Sequence, residues 1–280
     1  MSMTSQVMAA RPKRRYGSTM TAVLETRTGV GDLLRAWRTR RRLSQLDLAC
    51  LADVSTRHLS YVETGRSRPS RSFVLHLAEH LDVPLRARND LLVAAGYAPV
   101  YGETGLDAPE MAAVRHALDL VLAHHEPFPA VVVDRVWNLV LANSGAQFLL
   151  EGVAPDLLEP PLNVLRVSLH PRGFAPQIDD FPTFSGHLMA RLRRQVAMRD
   201  DPMLTALYDE LATYPNVVHA EPWTEHPGVV LPVRAHTSRG LLSFFTTLAT
   251  FGTAADITLS ELSVEQFFPA DEATRLALLD

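Results

Sequence analysis

The sequence predicts two folds in series. An all-α domain of five short helices occupies residues 29–98, and an α+β domain with helices laid over an antiparallel sheet occupies residues 111–280. Three observations carry this. Five apolar patterns of helical period follow one another in the first segment with no β-rich run among them. β-branched runs begin at residue 130 and return after residue 229, with helical patterns in between. Gly and Pro punctuate Gly96 to Glu110, so residues 99–110 read as the connection.

Residues 1–28 lack apolar periodicity and carry Arg11-Pro12-Lys13-Arg14-Arg15, so a disordered basic tail is expected. Asp32 to Arg38 forms an amphipathic first helix that runs into Arg40-Arg41-Arg42. Ser44 caps the second helix, with Asp47 at the third helical position as a near capping box. Leu46, Leu48 and Ala49 are its expected buried stripe, and Ala49 is small because two helices cross there. Cys50, the one cysteine, reads as a small buried hydrophobe. Asp53 suits a left-handed turn. Ser55 caps the third helix, Leu59 and Val62 face inward, and Gly65 ends it. Phe73, Leu75, Leu77, Ala78 and Leu81 mark a fourth helix, stopped before Pro84. Residues 87–95 form a fifth.

Two short helices joined by one tight turn place the second in the major groove of DNA. Its outward face carries Ser55, Thr56, Arg57, Ser60 and Tyr61. Arg57 near the helix start can give two hydrogen bonds to guanine. Thr56 offers a methyl group for thymine and a hydroxyl for a base edge or phosphate. Gln45, at a helix start, is expected to clamp a phosphate, Arg66 and Arg68 to meet the phosphate backbone, and Arg41 and Arg42 to join the DNA-binding surface.

Charge agrees with this placement. Residues 1–100 hold 16 Lys+Arg against 8 Asp+Glu, and the remainder hold 11 against 23. A polyanion therefore belongs at the front. No run of 18 apolar residues predicts a membrane span. The single cysteine and the lack of a secretory pattern point to the cytoplasm. No phosphate loop, metal-ligand spacing or nucleophile elbow appears, so neither an enzyme nor a bound cofactor is expected.

In the second segment, Met111 to His124 is a helix. Ala130–Asp134 and Trp137–Leu141 are a strand pair or one bent strand. Asn143 caps a helix to Leu150, and helices follow at Leu162–His170, Phe184–Arg199 and Met203–Thr213. Arg191, Arg193, Arg194 and Arg199 are expected on the outer face of the second of these. Val229–Thr237 and Leu241–Phe251 read as a hairpin about Ser238-Arg239-Gly240. Ile257–Phe267 is a third strand, and 271–279 a final helix. A ligand held between sheet and helices would meet Trp137, Leu141, Phe184, Leu188, Trp223, Phe244, Phe245 and Leu248. Asn163, Arg166 and His170 at helical spacing would form a polar end for a carboxylate.

Gln45, Ala49, Val54-Ser55 and Glu63-Thr64-Gly65-Arg66 together resemble the repressor-like five-helix domain of the xenobiotic-response-element (XRE) family of transcription regulators. Asp53 stands where many members have Gly. Trp137-Asn138-Leu139, Pro161-Leu162-Asn163, Thr246 to Gly252 and Phe268-Pro269-Ala270-Asp271-Glu272 resemble the ligand-binding half of MmyB-like regulators, whose layout is similar to the PAS sensor fold. The resemblance implies double-stranded DNA as partner, a small effector of fatty-acid type, and a homodimer on a near-palindromic operator. The alternative is a second domain that serves dimerisation or protein interaction without an effector, which a closed core lacking a cavity would favour.

Overall fold

The computed structural model describes residues 29–218 and 233–279. The first domain comprises α1 (Val30–Arg40), α2 (Gln45–Leu51), α3 (Thr56–Glu63), α4 (Arg71–His80) and α5 (Leu85–Ala94). Ser44, Ser55 and Ser70 begin α2, α3 and α4, each accepting a hydrogen bond from the N–H three residues on. At Ser44 the Asp47 carboxylate also accepts from the Ser44 N–H, completing a capping box. Asp53 takes the left-handed turn at φ 49°, and Gly65 ends α3 at φ 72°.

Leu34, Leu48, Leu59, Leu77, Leu91 and Leu92 form a fully buried core. On α2 the buried positions are Leu48 and Ala49, with Ala52 buried just past its end. Leu46 is 60% exposed, and Cys50 is exposed as well. Both lie two residues from Leu48, about 200° round the helix, so they point away from the core that Leu48 enters. The sequence reading that buried them is corrected.

The second domain comprises α6 (Ala112–His124), β1 (Ala130–Val133), β2 (Leu139–Ala142), α7 (Val164–Leu169), α8 (Phe181–Arg199), α9 (Pro202–Leu211), β3 (Val233–Thr237), β4 (Gly240–Thr250), α10 (Ile257–Glu261), β5 (Ser263–Pro269) and α11 (Glu272–Leu279). Its five strands make one antiparallel sheet in the order β2-β1-β5-β4-β3, curled and flanked by helices in a PAS-like layout. β1 and β2 are a pair rather than one bent strand. β3 and β4 form the expected hairpin, with Gly240 at φ 102°.

Three elements differ from the sequence reading. Ile257–Glu261 is helical, because Asp256 accepts from the N–H groups of Thr258 and Leu259 and starts a turn before the strand begins. Asn143 makes no helix cap. Its amide donates to the Leu122 and Phe128 carbonyls and its oxygen accepts from Ala130 N–H, and only a 3₁₀ stretch, Ser144–Leu150, follows. The Leu162–His170 pattern shortens to α7, since Asn163 caps it and His170 leaves it in extended geometry.

The two domains touch through charged groups. Arg86 on α5 pairs with Glu261 at 2.9 Å and with Glu103 at 2.6 Å. Arg40 at the end of α1 meets Asp200 at 2.5 Å, just past the end of α8. Among the described residues no helix is long and apolar enough to cross a membrane.

Candidate DNA-reading face and ligand cavity

α3 is held against α1 and α2 by one buried carboxylate. Glu63 is 2% exposed and accepts from Arg38 at 2.7 and 2.9 Å and from Gln45 Nε2 at 2.7 Å. Burial pushes its carboxyl up, but the Arg38 and Gln45 hydrogen bonds outweigh this and hold it below the usual carboxylate range. Close approach is a second constraint. A Cβ on Gly31 would lie 2.4 Å from the Val62 carbonyl, so α1 crosses α3 only because this residue is glycine. Neither role appears in the sequence reading, although Glu63 stands within the closing motif of α3.

The outward face of α3 is open. Ser55, Thr56, Arg57 and Arg66 are exposed, and Ser60 and Tyr61 half-buried. Arg57 Nε donates to the Tyr61 hydroxyl at 3.1 Å, and the Arg57 and Arg66 guanidiniums lie over the Tyr61 ring at 5.4 and 6.0 Å. Tyr61 thus holds two guanidiniums on the face that would enter a groove. Arg42 is exposed at φ 59°.

Three residues expected at the DNA make hydrogen bonds within the chain. The Gln45 amide N–H is donated to Glu63. Arg41 donates to the carbonyls of Leu81 and Asp82 at 2.8 Å. Arg68 donates to the Ala95 carbonyl at 3.0 and 3.2 Å, with its guanidinium over Tyr97. Neighbouring carbonyls attract a guanidinium as a phosphate does, and sequence spacing does not separate the two.

A cavity of about 580 Å³ lies between the sheet and the helices of the second domain. That is within the usual range for small-molecule sites. Val131, Leu139, Leu165, Phe184, Leu188 and Phe267 give it an apolar wall. Asp179, Asp180, Arg194 and Arg234 line it as exposed groups, whereas Arg191 and Glu265 meet within it. Arg191 was expected on an outer face. Its position three residues after Leu188 and seven after Phe184 puts it on the cavity face of α8.

Of the residues expected around a ligand, Phe184 and Leu188 line the cavity. Trp137 is buried beneath Arg191 and donates from its indole N–H to Gln195 at 2.8 Å. Phe244 packs with Phe148, Leu242 and Leu278, and Phe245 stacks on Phe268. Leu141 packs towards α6, and Leu248 is 41% exposed. Alternation along β4 sends Phe244, Phe245 and Leu248 to faces the pattern alone does not label. Trp223 lies outside the described residues.

Asn163, Arg166 and His170, expected at a carboxylate end, are engaged by other groups of the chain. Arg166 holds Glu210 with two hydrogen bonds of 2.7 Å, and Glu210 also accepts from Tyr214 at 2.8 Å. The Arg166 hydrogen bond draws the Glu210 carboxyl below its ordinary range. Burial, with Glu210 beside it, pushes the Tyr214 hydroxyl up to about 12. His170 sits edge-on to Tyr214, and Asn163 binds the Val136 carbonyl and Asn138. Partners on α9 and the β1–β2 turn, far away in sequence, satisfy these groups.

A helix-turn-helix with an open polar face, joined to a sheet-and-helix domain enclosing an apolar cavity, defines a DNA-binding transcription regulator with a ligand-binding domain. Residues 30–91 match the helix-turn-helix domain family, and residues 114–279 match the MmyB-like transcription regulator ligand binding domain. The chain belongs to the MmyB-like regulators. No curated protein matches it significantly. Among solved structures, it is similar to the clp gene regulator ClgR from Corynebacterium glutamicum, with 25% identity over 36% of this chain and 94% of that one, at a TM-score of 0.22. It also resembles an RNA-binding light-oxygen-voltage receptor, with 13% identity over 90% of this chain and 62% of that one, at a TM-score of 0.27.

Proposed function

We propose that the chain is a homodimeric regulator whose affinity for its operator changes when a small effector of fatty-acyl type fills the cavity. The observation that carries this reading is the course of α8. Its first three turns line the cavity through Phe184, Leu188 and Arg191. At its far end the Ala197 and Met198 carbonyls accept from Arg40 and Arg41 at 3.4 and 3.3 Å, and Asp200 pairs with Arg40. One rod of roughly 28 Å thus leads from the cavity to the end of α1, which packs on α3. An effector that favours one position of α8 favours one position of the reading helix. It does so only as far as it binds the two arrangements differently.

The apolar wall supports an acyl chain as the body of the effector. In the homodimer two α3 helices would sit about 34–36 Å apart on a near-palindrome. Arg57 and Thr56 would read base edges, with Arg66 and Arg42 on phosphates. A cavity of this size favours the effector reading over a second domain serving assembly alone. Native mass spectrometry of the purified full chain tests it first, with a co-purified amphiphile as the expected result. Anisotropy on an operator obtained by binding selection then compares loaded and stripped protein. Identical affinity for the operator in both forms overturns the reading.

A further inference from the structure

Arg191 is the one side chain with a buried nitrogen lacking a hydrogen-bond partner among the described residues. The guanidinium is fixed on two sides. Its Cζ lies 4.4 Å from the centre of the Trp137 ring, and its Nη1 donates to Glu265 Oε1 at 3.1 Å. Nη2 is left without an acceptor, and Arg191 and Glu265 both line the cavity. A buried donor without an acceptor is costly in a folded chain, and here the side chain is not free to swing to another one. The other buried polar group on the wall, Asn143, already uses both ends of its amide.

The charge at this point is balanced before any ligand arrives. The Glu265 side chain is 8% exposed and sits on β5 between β1 and β4, so its carboxylate stays beside Arg191. A second carboxylate on Nη2 would face Glu265 across one guanidinium, a like-charge contact. A carbonyl oxygen without charge meets the same donor with no such repulsion. Arg194 and Arg234 line the cavity too, but both are exposed and screened by water, and Arg234 is paired with Asp179. We propose that Arg191 is the residue that selects the head group of the effector, and that this head is an uncharged carbonyl, as in an acyl amide or ester, rather than a free acid. This rests on the cavity being the effector site.

Calorimetric titration of the full chain at pH 8 with decanamide and with decanoate tests it. The amide should bind at least about tenfold more tightly than the acid. Glu265→Gln removes the competing charge and should reverse the order. Arg191→Met leaves Glu265 buried and unpaired and endangers folding, so the double variant Arg191→Met/Glu265→Met, checked by circular dichroism, serves as the form without either polar group. It should bind the two molecules about equally and more weakly than wild type binds the amide. Equal or tighter binding of decanoate by wild type, or an unchanged ratio in Glu265→Gln, overturns the head-group assignment and leaves the cavity reading standing. Heat from neither molecule in wild type overturns both.

Discussion

The two domains differ at one buried polar group. In the first, Glu63 collects Arg38 and Gln45, and Arg41 and Arg68 fold back on backbone carbonyls. The α1–α3 crossing is also tight, since a single added methyl on Gly31 would strike backbone. In the second, the interior keeps a cavity and a donor without an acceptor. A reading head must hold its helix rigid so that side chains meet base edges in register. A sensor must leave room and an unmet interaction for something that comes and goes.

Mutations can break or sharpen this contrast. The largest effect is expected at Glu63→Ala, which leaves Arg38 without its carboxylate and frees α3 from α1 and α2. A loss of about 3–5 kcal/mol is expected, measured by urea unfolding. Gly31→Ala should cost about 1–3 kcal/mol, because the obstacle is backbone and cannot step aside. Leu188→Trp adds far more atoms, but into the cavity. It should cost less than about 1 kcal/mol while abolishing the effector response. If Leu188→Trp proves more damaging than Gly31→Ala, the contrast between a closed and an open interior is wrong.

Arg57→Ala should leave stability nearly unchanged and remove about 1–3 kcal/mol of base discrimination, read as a flattened position in a binding-selection logo. The smallest effect is expected from Arg66→Ala, which should lower the salt slope of DNA binding by about 1 without changing the preferred sequence.

Acid adds one further discriminator. Glu63 and Glu210 are both held below the ordinary carboxylate range in the folded chain. A folded value below the unfolded one gives stability that is complete above about pH 4.3 and lost as pH falls through the lower folded value. The Glu63→Gln variant should therefore lose less stability than wild type between pH 5 and pH 3. Parallel unfolding curves for the two would remove Glu63 from this role.

Local chemistry made the first domain readable. The serine caps, the left-handed Asp53, the Gly65 stop and the outward Thr56 and Arg57 all follow from neighbours within four residues. The β3–β4 hairpin, and Phe184 and Leu188 on one helix face, were legible for the same reason, whereas the run from residue 130 to 141 fitted a strand pair or one bent strand equally well. What escaped depends on distant partners. Arg166 looked like a ligand residue until Glu210, 44 positions away, neutralised it. Gln45 looked free until Glu63 arrived at 2.7 Å. Arg191 was assigned outward because it is charged, although its spacing from Phe184 and Leu188 put it on the apolar side. Glu265, a carboxylate in a strand paired on both sides, was the companion signal.

The central claim is that α8 carries the state of the cavity to the DNA-binding domain. The most direct measurement is the change in operator Kd caused by saturating effector, compared between wild type and Asp200→Ala. The Arg40–Asp200 pair is partly exposed, so its loss should barely affect folding. The account predicts a shift of about tenfold in wild type and a clearly smaller one in the variant. An equal shift in both would contradict it.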